Sequence, residues 1–159
     1  MEIRISMATQ ELLLLDEDGR ISGRWPVSTA AKGAGEQAGS YQTPRGRHRV
    51  RAKIGEGQPL NAVFRGRRPT GEIYDAAMGS RFPERDWILT RILWLSGCEP
   101  GRNRLGRCDT MRRYIYIHGT PDTEPMGIPR SHGCIRMRNE DLLALFDRIP
   151  VYTPVLIEE

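Results

Sequence analysis

Apolar and polar residues alternate over several short stretches of this chain, which is the period expected of half-buried β-strands. The stretches with this alternation, or with the β-branched and aromatic content of a buried strand, are 3–7, 12–16, 20–28, 47–55, 87–95, 114–117 and 153–158. Residues 16–19 form a hairpin-turn signal. The chain also contains 17 glycines and 11 prolines, which indicates frequent turns. These features predict a mainly-β fold.

One helix is predicted, near the carboxyl end. Asn139 is a suitable N-cap, and the acidic residues Glu140 and Asp141 suit the first turn. Apolar side chains then follow at helical spacing, and Pro150 ends the pattern; these side chains belong to Leu142, Leu143, Leu145, Phe146 and Ile149. No linker or repeat interrupts the chain. We therefore expect a single domain over 1–159, with mostly loop and short strands at 56–86 and a polar loop at 96–111.

The charge pattern is basic and rich in arginine. The formal net charge is +4, and only two of the 24 basic residues are lysines. Such arginines could line a groove for an anionic peptide, since the guanidinium fork matches carboxylates; a compositional bias is the alternative. No basic stripe interleaves with aromatic residues, so we predict no nucleic-acid partner.

Cysteine usage and hydropathy bear on the compartment. Three cysteines, an odd number, fit a reducing environment better than a disulfide framework. No apolar run approaches the eighteen residues of a membrane span, so no membrane anchor is expected. No leader pattern is visible at the start of the sequence. The resulting expectation is a cytoplasmic protein, or a periplasmic one if an export signal has been removed.

A thiol, two imidazoles and several glycines cluster late in the chain. Cys134 follows His132 and Gly133 directly, and His118 lies sixteen positions upstream. A histidine near a cysteine is the usual means of generating a nucleophilic thiolate. Glycines let backbone N–H groups approach a reacting carbonyl, as an oxyanion hole requires. The pattern favours cysteine acyl transfer; a buried structural cysteine is the alternative.

A zinc site is a second alternative for this cluster. His118, His132 and Cys134 could supply three ligands, and Cys98 or Cys108 a fourth. However, the spacing matches no common zinc ribbon or finger, and no Cys-x-x-Cys occurs. We therefore predict no metal and no cofactor. Cys98 and Cys108 are expected to be free thiols, with Cys98 either a small buried side chain or a residue bordering the site.

Two segments carry a family resemblance. His118-Gly119-Thr120-Pro121 and Ser131-His132-Gly133-Cys134-Ile135-Arg136-Met137 resemble the signature of the L,D-transpeptidase (YkuD-type) catalytic domain. Upstream, Val27-Ser28-Thr29-Ala30 and Thr43-Pro44-Arg45-Gly46 are similar to the family's amino-terminal strands and Thr-Pro-x-Gly turn. The resemblance implies a β-sandwich with one principal helix following the active-site cysteine.

The resemblance also implies catalytic roles. Cys134 would be the nucleophile, and His118 the base that takes its proton and returns it to the leaving amine. The carbonyl of Gly119 would orient the His118 ring. The backbone of His132, Gly133 and Cys134 would build the oxyanion hole, and the His132 ring would either stabilise the thiolate or support the loop.

Four further residues are candidates for substrate binding: Arg136, Ser131, Arg113 and Tyr116. In a strand Arg136 would share the face of Cys134, and a substrate carboxylate would be its partner; a salt-bridged arginine is the alternative. Ser131 would act mainly as a loop-stabilising hydroxyl. His48 lies outside the motif and is expected on the surface.

The expected substrates are muropeptides or other peptidoglycan stem peptides, with carbapenems as covalent inhibitors. Cys134 would attack the carbonyl of the L-configured diamino acid, D-alanine would leave, and a thioester would remain. Water as acceptor gives an L,D-carboxypeptidase that trims muropeptides during recycling, which we expect in a cytoplasmic protein. An amine acceptor gives an L,D-transpeptidase or D-amino-acid exchange, and a non-catalytic muropeptide-binding module is the rival from another class.

Overall fold

The computed structural model describes all residues, 1–159. It contains ten strands and two α-helices. The strands are β1 (Glu2–Ser6), β2 (Glu11–Leu15), β3 (Ile21–Ser28), β4 (Gly46–Ile54), β5 (Ala62–Arg65), β6 (Arg68–Ile73), β7 (Ile88–Gly97), β8 (Tyr116–Gly119), β9 (Ile135–Met137) and β10 (Pro154–Glu158). The helices are α1 (Ala76–Arg81) and α2 (Asn139–Arg148), and a 3₁₀ turn covers Gly106–Cys108.

All ten strands belong to one sheet, in the order β4-β10-β1-β2-β3-β9-β8-β7-β5-β6. Strand β4 also pairs with β7. This pairing closes eight strands into a ring whose two sides face each other across one core, while the β5–β6 hairpin extends from β7. The mainly-β, sandwich-like architecture predicted from the sequence is confirmed.

Alternation along the strands decides which side chains form the core. Ile3 and Ile5 of β1 pair with Leu14 and Leu12 of β2, and all four are fully buried. The predicted turn between β2 and β3 is built by Asp16, whose carboxylate accepts hydrogen bonds from the N–H groups of Asp18 and Arg20. An antiparallel hairpin with one apolar face follows.

Helix α2 packs against β7 and β8. Its predicted apolar face is real, because Leu142, Leu145 and Phe146 lie in the main core, although Leu143 is only half-buried. The predicted N-cap is wrong. Arg138 occupies that position without a side-chain cap, and Asn139 is the first helical residue. The Asn139 amide is buried and bonds to neighbouring loops instead.

The segment before β7 contains short strands, as expected for 56–86, and also a helix that the sequence does not indicate. Strands β5 and β6 form a hairpin, and helix α1 begins after Asp75, whose carboxylate accepts a hydrogen bond from Met78 N–H. The hairpin loop consists of Gly66 and Arg67, both at positive φ, +56° and +65°. Two consecutive positive φ values are the geometry of a type I′ turn.

Three local expectations are wrong. His48 is buried, because its ring lies under the 98–110 loop and bonds to Thr110 Oγ1 at 2.9 Å. Cys98 is exposed and lies outside the site cavity, whereas Cys108 is buried. Tyr114 belongs to a turn at positive φ, so strand β8 begins only at Tyr116.

No helix of the chain combines the length and apolar character that a membrane crossing needs.

Candidate active site

Strands β8 and β9 run parallel, with Ile117 opposite Ile135 and His118 opposite Arg136. Ile117 and Ile135 point into the core. Because side chains alternate along a strand, the neighbouring residues point to the other face. That face lines a cavity of about 400 Å³, and four motif residues meet there: Tyr116, His118, Cys134 and Arg136.

The Cys134 thiol is held by the turn before β8. Its Sγ accepts a hydrogen bond from the Tyr116 N–H at 3.3 Å and lies 3.4 Å from the Tyr114 carbonyl oxygen, to which the thiol donates. Burial raises the pKa of Cys134 to about 12, against the smaller opposing effect of the Tyr116 N–H. The resting nucleophile is therefore a thiol, and it needs a base.

His118 is buried and oriented by its own strand end. Its Nδ1 donates to the Gly119 carbonyl oxygen at 2.7 Å, which fixes the tautomer with an unprotonated Nε2. Burial lowers the pKa of His118 below its ordinary value, although Asp86 and the Gly119 carbonyl oppose the shift. No hydrogen bond joins His118 to Cys134, but both line the same cavity. The site thus pairs a neutral thiol with a neutral imidazole.

The glycine at 119 is required by close packing. A Cβ there would collide with Asn139 Oδ1 and the Leu89 carbonyl oxygen. Asn139 is itself fixed, since its Oδ1 accepts from Thr90 Oγ1 at 2.7 Å and its Nδ2 donates to the Thr120 carbonyl at 3.0 Å. The first residue of α2 therefore supports the strand end that orients His118.

The Ser131–Cys134 loop is tied internally. Ser131 Oγ donates to the Cys134 carbonyl at 2.5 Å and accepts from the Gly133 N–H at 3.2 Å. Thr43 Oγ1 donates to the Gly133 carbonyl at 2.8 Å. Gly133 has φ +132°, where glycine is favoured. The Ser131 hydroxyl is buried and bonded within the loop, which fits the expected loop-stabilising role and leaves it unavailable to bind a substrate.

Two of the three backbone N–H groups expected in the oxyanion hole are available. Those of His132 and Cys134 have no acceptor within the chain, whereas the Gly133 N–H is bonded to Ser131. Free N–H groups beside a nucleophile can stabilise negative charge on a carbonyl oxygen. An oxyanion hole at this position would use the N–H groups of His132 and Cys134 rather than that of Gly133.

Arg136 is an internally paired arginine. Its Nη2 lies 3.0 Å from Asp86 Oδ1 and its Nη1 lies 3.5 Å from Glu124 Oε2, and its side chain is only 8% exposed. This corrects the expectation that Arg136 awaits a substrate carboxylate, because two carboxylates of the chain already neutralise it. The salt-bridged alternative is the observed one.

The His132 ring stands at the mouth of the cavity. It is 64% exposed, and its Nδ1 lies 3.6 Å from Asp86 Oδ2. The Tyr41 ring contacts it edge-on at a centroid distance of 6.3 Å. These contacts place the ring at the entrance, where it supports the loop.

The remaining two candidates differ. Arg113 donates to the carbonyl oxygens of Gly35 and Gln42 and to Ser40 Oγ, so its guanidinium holds the 35–42 loop rather than a substrate. Its assignment to substrate binding is therefore corrected. Tyr116 lies in the cavity wall, and its hydroxyl accepts a hydrogen bond from Arg67 Nη1 at 3.1 Å.

Sequence reasoning missed two cavity residues, Asp86 and Arg67. Both belong to the segment before β7, which carries no motif, and an isolated charge in such a segment gives no signal of its position. The histidine, cysteine and acidic side chains form no group of three or more suited to a metal ion.

Comparison with known proteins agrees with this geometry. Residues 1–157 match the family model described as YkuD, the L,D-transpeptidase catalytic domain. A segment of 43 residues is 49% identical to the probable L,D-transpeptidase YbiS of Escherichia coli K12, and covers 27% of this chain and 14% of that protein.

Two solved structures share the fold at low sequence identity. L,D-transpeptidase 3 from Mycobacterium tuberculosis, in complex with a faropenem-derived adduct, has a TM-score of 0.60 at 18% identity, covering 99% of this chain and 59% of that one. The L,D-transpeptidase LdtMt1 in complex with imipenem has a TM-score of 0.58 at 18% identity, covering 98% and 57%. The chain thus spans less than two thirds of these proteins. The family-model match over residues 1–157 establishes that the chain belongs to the YkuD L,D-transpeptidase catalytic domain family.

Proposed function

We propose that this chain transfers peptide acyl groups through a thioester on Cys134. The observation that carries the proposal is the shared cavity of His118 and Cys134, with His118 oriented by Gly119 so that Nε2 is the free base. A nucleophile, a base and an orienting group are the parts of an acyl-transfer site.

The protonation states favour general-base catalysis. Cys134 rests as a thiol and His118 as a neutral imidazole. As Sγ bonds to the substrate carbonyl carbon, the thiol proton passes to His118 Nε2. The N–H groups of His132 and Cys134 stabilise the oxyanion. Collapse breaks the C–N bond, His118 protonates the departing amine, and the thioester remains.

The proposed acyl donor is a peptidoglycan stem tetrapeptide. Family membership supports this substrate, with Cys134 attacking the carbonyl of the L-configured diamino acid and D-alanine leaving. A cavity of about 400 Å³ is large enough for a short peptide segment. Muropeptides are the soluble form of this donor.

Water is the proposed acceptor, which makes the reaction an L,D-carboxypeptidation. Cys134 is only partly buried and the neighbouring His132 side chain is 64% exposed, so water reaches the thioester from the mouth of the site. Hydrolysis releases a tripeptide and regenerates the thiol with no second peptide bound.

Transpeptidation is the second candidate, and one observation favours it. A further cavity of about 300 Å³ adjoins the first and shares four lining residues with it: Arg113, Tyr114, Ile115 and His132. A second stem peptide placed there would bring its amine to the thioester from the other side of the loop.

Defined stem peptides test the proposal. Wild type incubated with tetrapeptide should release D-alanine, and Cys134→Ala should release none. Tripeptide without dimer supports carboxypeptidation, whereas abundant dimer supports transpeptidation. If wild type and Cys134→Ala both bind the peptide and neither turns it over, the chain is a muropeptide-binding module.

Carbapenems provide a second test. The family neighbour LdtMt1 is solved in complex with imipenem. We propose that a carbapenem acylates Cys134 by the same attack on a carbonyl. Intact-mass spectrometry should show one adduct on wild type and none on Cys134→Ala; an unmodified wild type after prolonged exposure counts against the nucleophile.

A further inference from the structure

Three arginines line the cavity: Arg67, Arg113 and Arg136. Two of them are occupied within the chain. Arg136 pairs with two carboxylates, and Arg113 donates to two carbonyl oxygens and a hydroxyl. Arg67 has one hydrogen bond, to the Tyr116 hydroxyl, and no carboxylate within 4 Å. Arg67 is therefore the cavity arginine without a carboxylate or carbonyl partner, whereas the one unpaired donor of Arg136, its Nε, is buried.

Arg67 is held in place without using its other N–H donors. Its guanidinium carbon lies 4.8 Å from the centroid of the Trp94 ring and 4.7 Å from that of Tyr114. Arginine stacks well on aromatic faces, and such contacts leave the N–H groups of the fork free to bind a planar anion. The group is thus positioned in advance, which lowers the entropic cost of binding a ligand.

The backbone at Arg67 is unusual for the residue it carries. Arg67 has φ +65° in the two-residue loop between β5 and β6. A side chain larger than that of asparagine costs about 1–2 kcal/mol in this region, where Asn and Gly are favoured. The turn alone would favour a different residue, so the turn geometry does not by itself account for the arginine.

Tyr116 connects this arginine to the nucleophile. Its N–H donates to Cys134 Sγ and its hydroxyl accepts from Arg67. The guanidinium therefore lies one tyrosine side chain away from the attacking sulfur, within the same cavity. A substrate group bound to Arg67 would lie near the carbonyl that Cys134 attacks.

We propose that Arg67 binds a carboxylate of the acyl donor and selects donors that carry one beside the scissile bond. The inference deepens the proposed function and rests on it. Arg67 is the only cavity cation without an internal anionic or carbonyl partner, and arginine binds carboxylate through two parallel hydrogen bonds.

Two carboxylates of a stem tetrapeptide lie on the two residues that flank the scissile bond. One terminates the D-alanine that leaves, and the other belongs to the side chain of a diamino acid of the diaminopimelate type. The chemistry of recognition is the same for both, so the experiment uses a peptide with both groups free and two peptides in which one or the other is an amide.

Binding measured without turnover tests the inference. In a Cys134→Ala background, calorimetry should give a Kd for the free-acid tetrapeptide, and adding Arg67→Asn should raise it about tenfold or more, the usual effect of losing a charged hydrogen-bond pair. Asn suits the positive φ, so this variant should keep its fold. The matched control, Arg68→Gln, removes a neighbouring exposed charge and should change the Kd less than about twofold.

The amide peptides identify the bound group. The peptide in which the carboxylate bound by Arg67 is replaced by an amide should bind weakly to the Cys134→Ala protein. Adding Arg67→Asn should weaken the binding of that peptide no further. The inference is overturned if Arg67→Asn weakens all three peptides equally, if Arg68→Gln has the same effect, or if the free acid does not bind. Should Arg67→Asn misfold, Arg67→Lys replaces it, with a smaller loss expected because the charge stays and the fork is lost.

Turnover separates this inference from the proposed function. Arg67-dependent binding by a wild-type protein that forms no thioester would refute the acyl transfer and retain the carboxylate site. Thioester formation by a protein whose peptide binding is unchanged in Arg67→Asn would refute the carboxylate site and retain the acyl transfer.

Discussion

The Asp86 carboxylate accepts a hydrogen bond from the Arg136 guanidinium at 3.0 Å, across 50 positions of sequence. Its second oxygen lies 3.6 Å from His132 Nδ1. Asp86 comes just before β7, while Arg136 lies beside His118 in the β8–β9 pairing. One carboxylate from the motif-free segment thus contacts the His132 ring and the Arg136 guanidinium, which lie two positions before and two positions after Cys134.

Replacing Asp86 should make Cys134 more reactive. Its negative charge raises the pKa of the Cys134 thiol, so Asp86→Asn should lower that pKa and increase the thiolate fraction at a given pH. We expect iodoacetamide alkylation of Cys134 at pH 8 to be about threefold faster or more, because reactivity follows thiolate content; the rate is measured on the proteolytic peptide that contains Cys134, since Cys98 is also an exposed thiol.

A neighbouring carboxylate provides the control. Glu84→Gln removes an exposed charge from the same segment and should leave the alkylation rate unchanged. Slower alkylation in Asp86→Asn would show that the pairing with Arg136 matters more to the thiol than the charge of Asp86 does.

The pH dependence of turnover should report His118. Burial lowers the pKa of His118, so the neutral form that acts as a base already predominates at pH 6.5 and above. We expect kcat/KM to rise with pH, with the midpoint of the rise below pH 6.5. Above that rise it should stay level through the mildly alkaline range, because the thiol pKa lies near 12. A bell-shaped profile centred near neutrality would instead indicate a preformed thiolate–imidazolium pair.

Removing the base should be far more costly than removing the exposed imidazole. His118→Gln should lower kcat about 10²- to 10⁴-fold, the usual contribution of a general base. His132→Gln keeps the backbone N–H and loses only a ring at the cavity mouth, so we expect a smaller loss. Equal losses of kcat in the two variants would show that the assignment of His118 as the base is wrong.

Thr43 should affect both stability and catalysis through the Gly133 carbonyl. Its buried hydroxyl donates to that carbonyl and accepts from the Ala30 N–H at 3.0 Å. Thr43→Val leaves both groups unpaired, at about 1–3 kcal/mol each, and loosens the Cys134 loop. Urea denaturation should show the loss of stability, and turnover should fall with it.

Thr43→Ser is the matched variant, since it keeps the hydroxyl and loses one methyl group. It should lie much closer to wild type in both measurements. If Thr43→Val and Thr43→Ser lose stability and turnover equally, the packing of the methyl group contributes as much as the hydrogen bonds of the hydroxyl.

His48 should make folding stability depend on pH. Its Nδ1 donates to the Gly46 carbonyl, and burial lowers its pKa from 6.5 to about 4. The unfolded chain binds the proton first as pH falls, so stability is full above pH 6.5 and declines toward pH 4. The slope is about 1.4 kcal/mol per pH unit, or roughly 3 kcal/mol over the window.

The difference between wild type and His48→Gln isolates this contribution from other titrating groups. Urea denaturation between pH 4 and pH 7 should show a gap between the two proteins that narrows as pH falls. Parallel curves would mean that His48 is solvated in the folded state.

The strands were largely predictable because local alternation specifies them. Ile3, Ile5, Leu12 and Leu14 each point to the core as their period-2 spacing requires. The β5–β6 hairpin gives no clear signal in the sequence, because its Gly66–Arg67 turn lacks the usual Asn-Gly pair and β6 is exposed throughout. The residue type predicts an N-cap at Asn139, but the side chain bonds to tertiary partners instead of its own helix.

By itself the sequence determined the family, the mainly-β class and the motif containing Cys134 and His118, since these depend on residue types and spacings close along the chain. Tertiary structure alone decided which charges meet. It paired Arg136 with Asp86, bonded Arg113 to the 35–42 loop, and left Arg67, which stacks on two aromatic rings, without a carboxylate partner. Electrostatic partners depend on distances in space, and those distances are set only once the β-sheet closes.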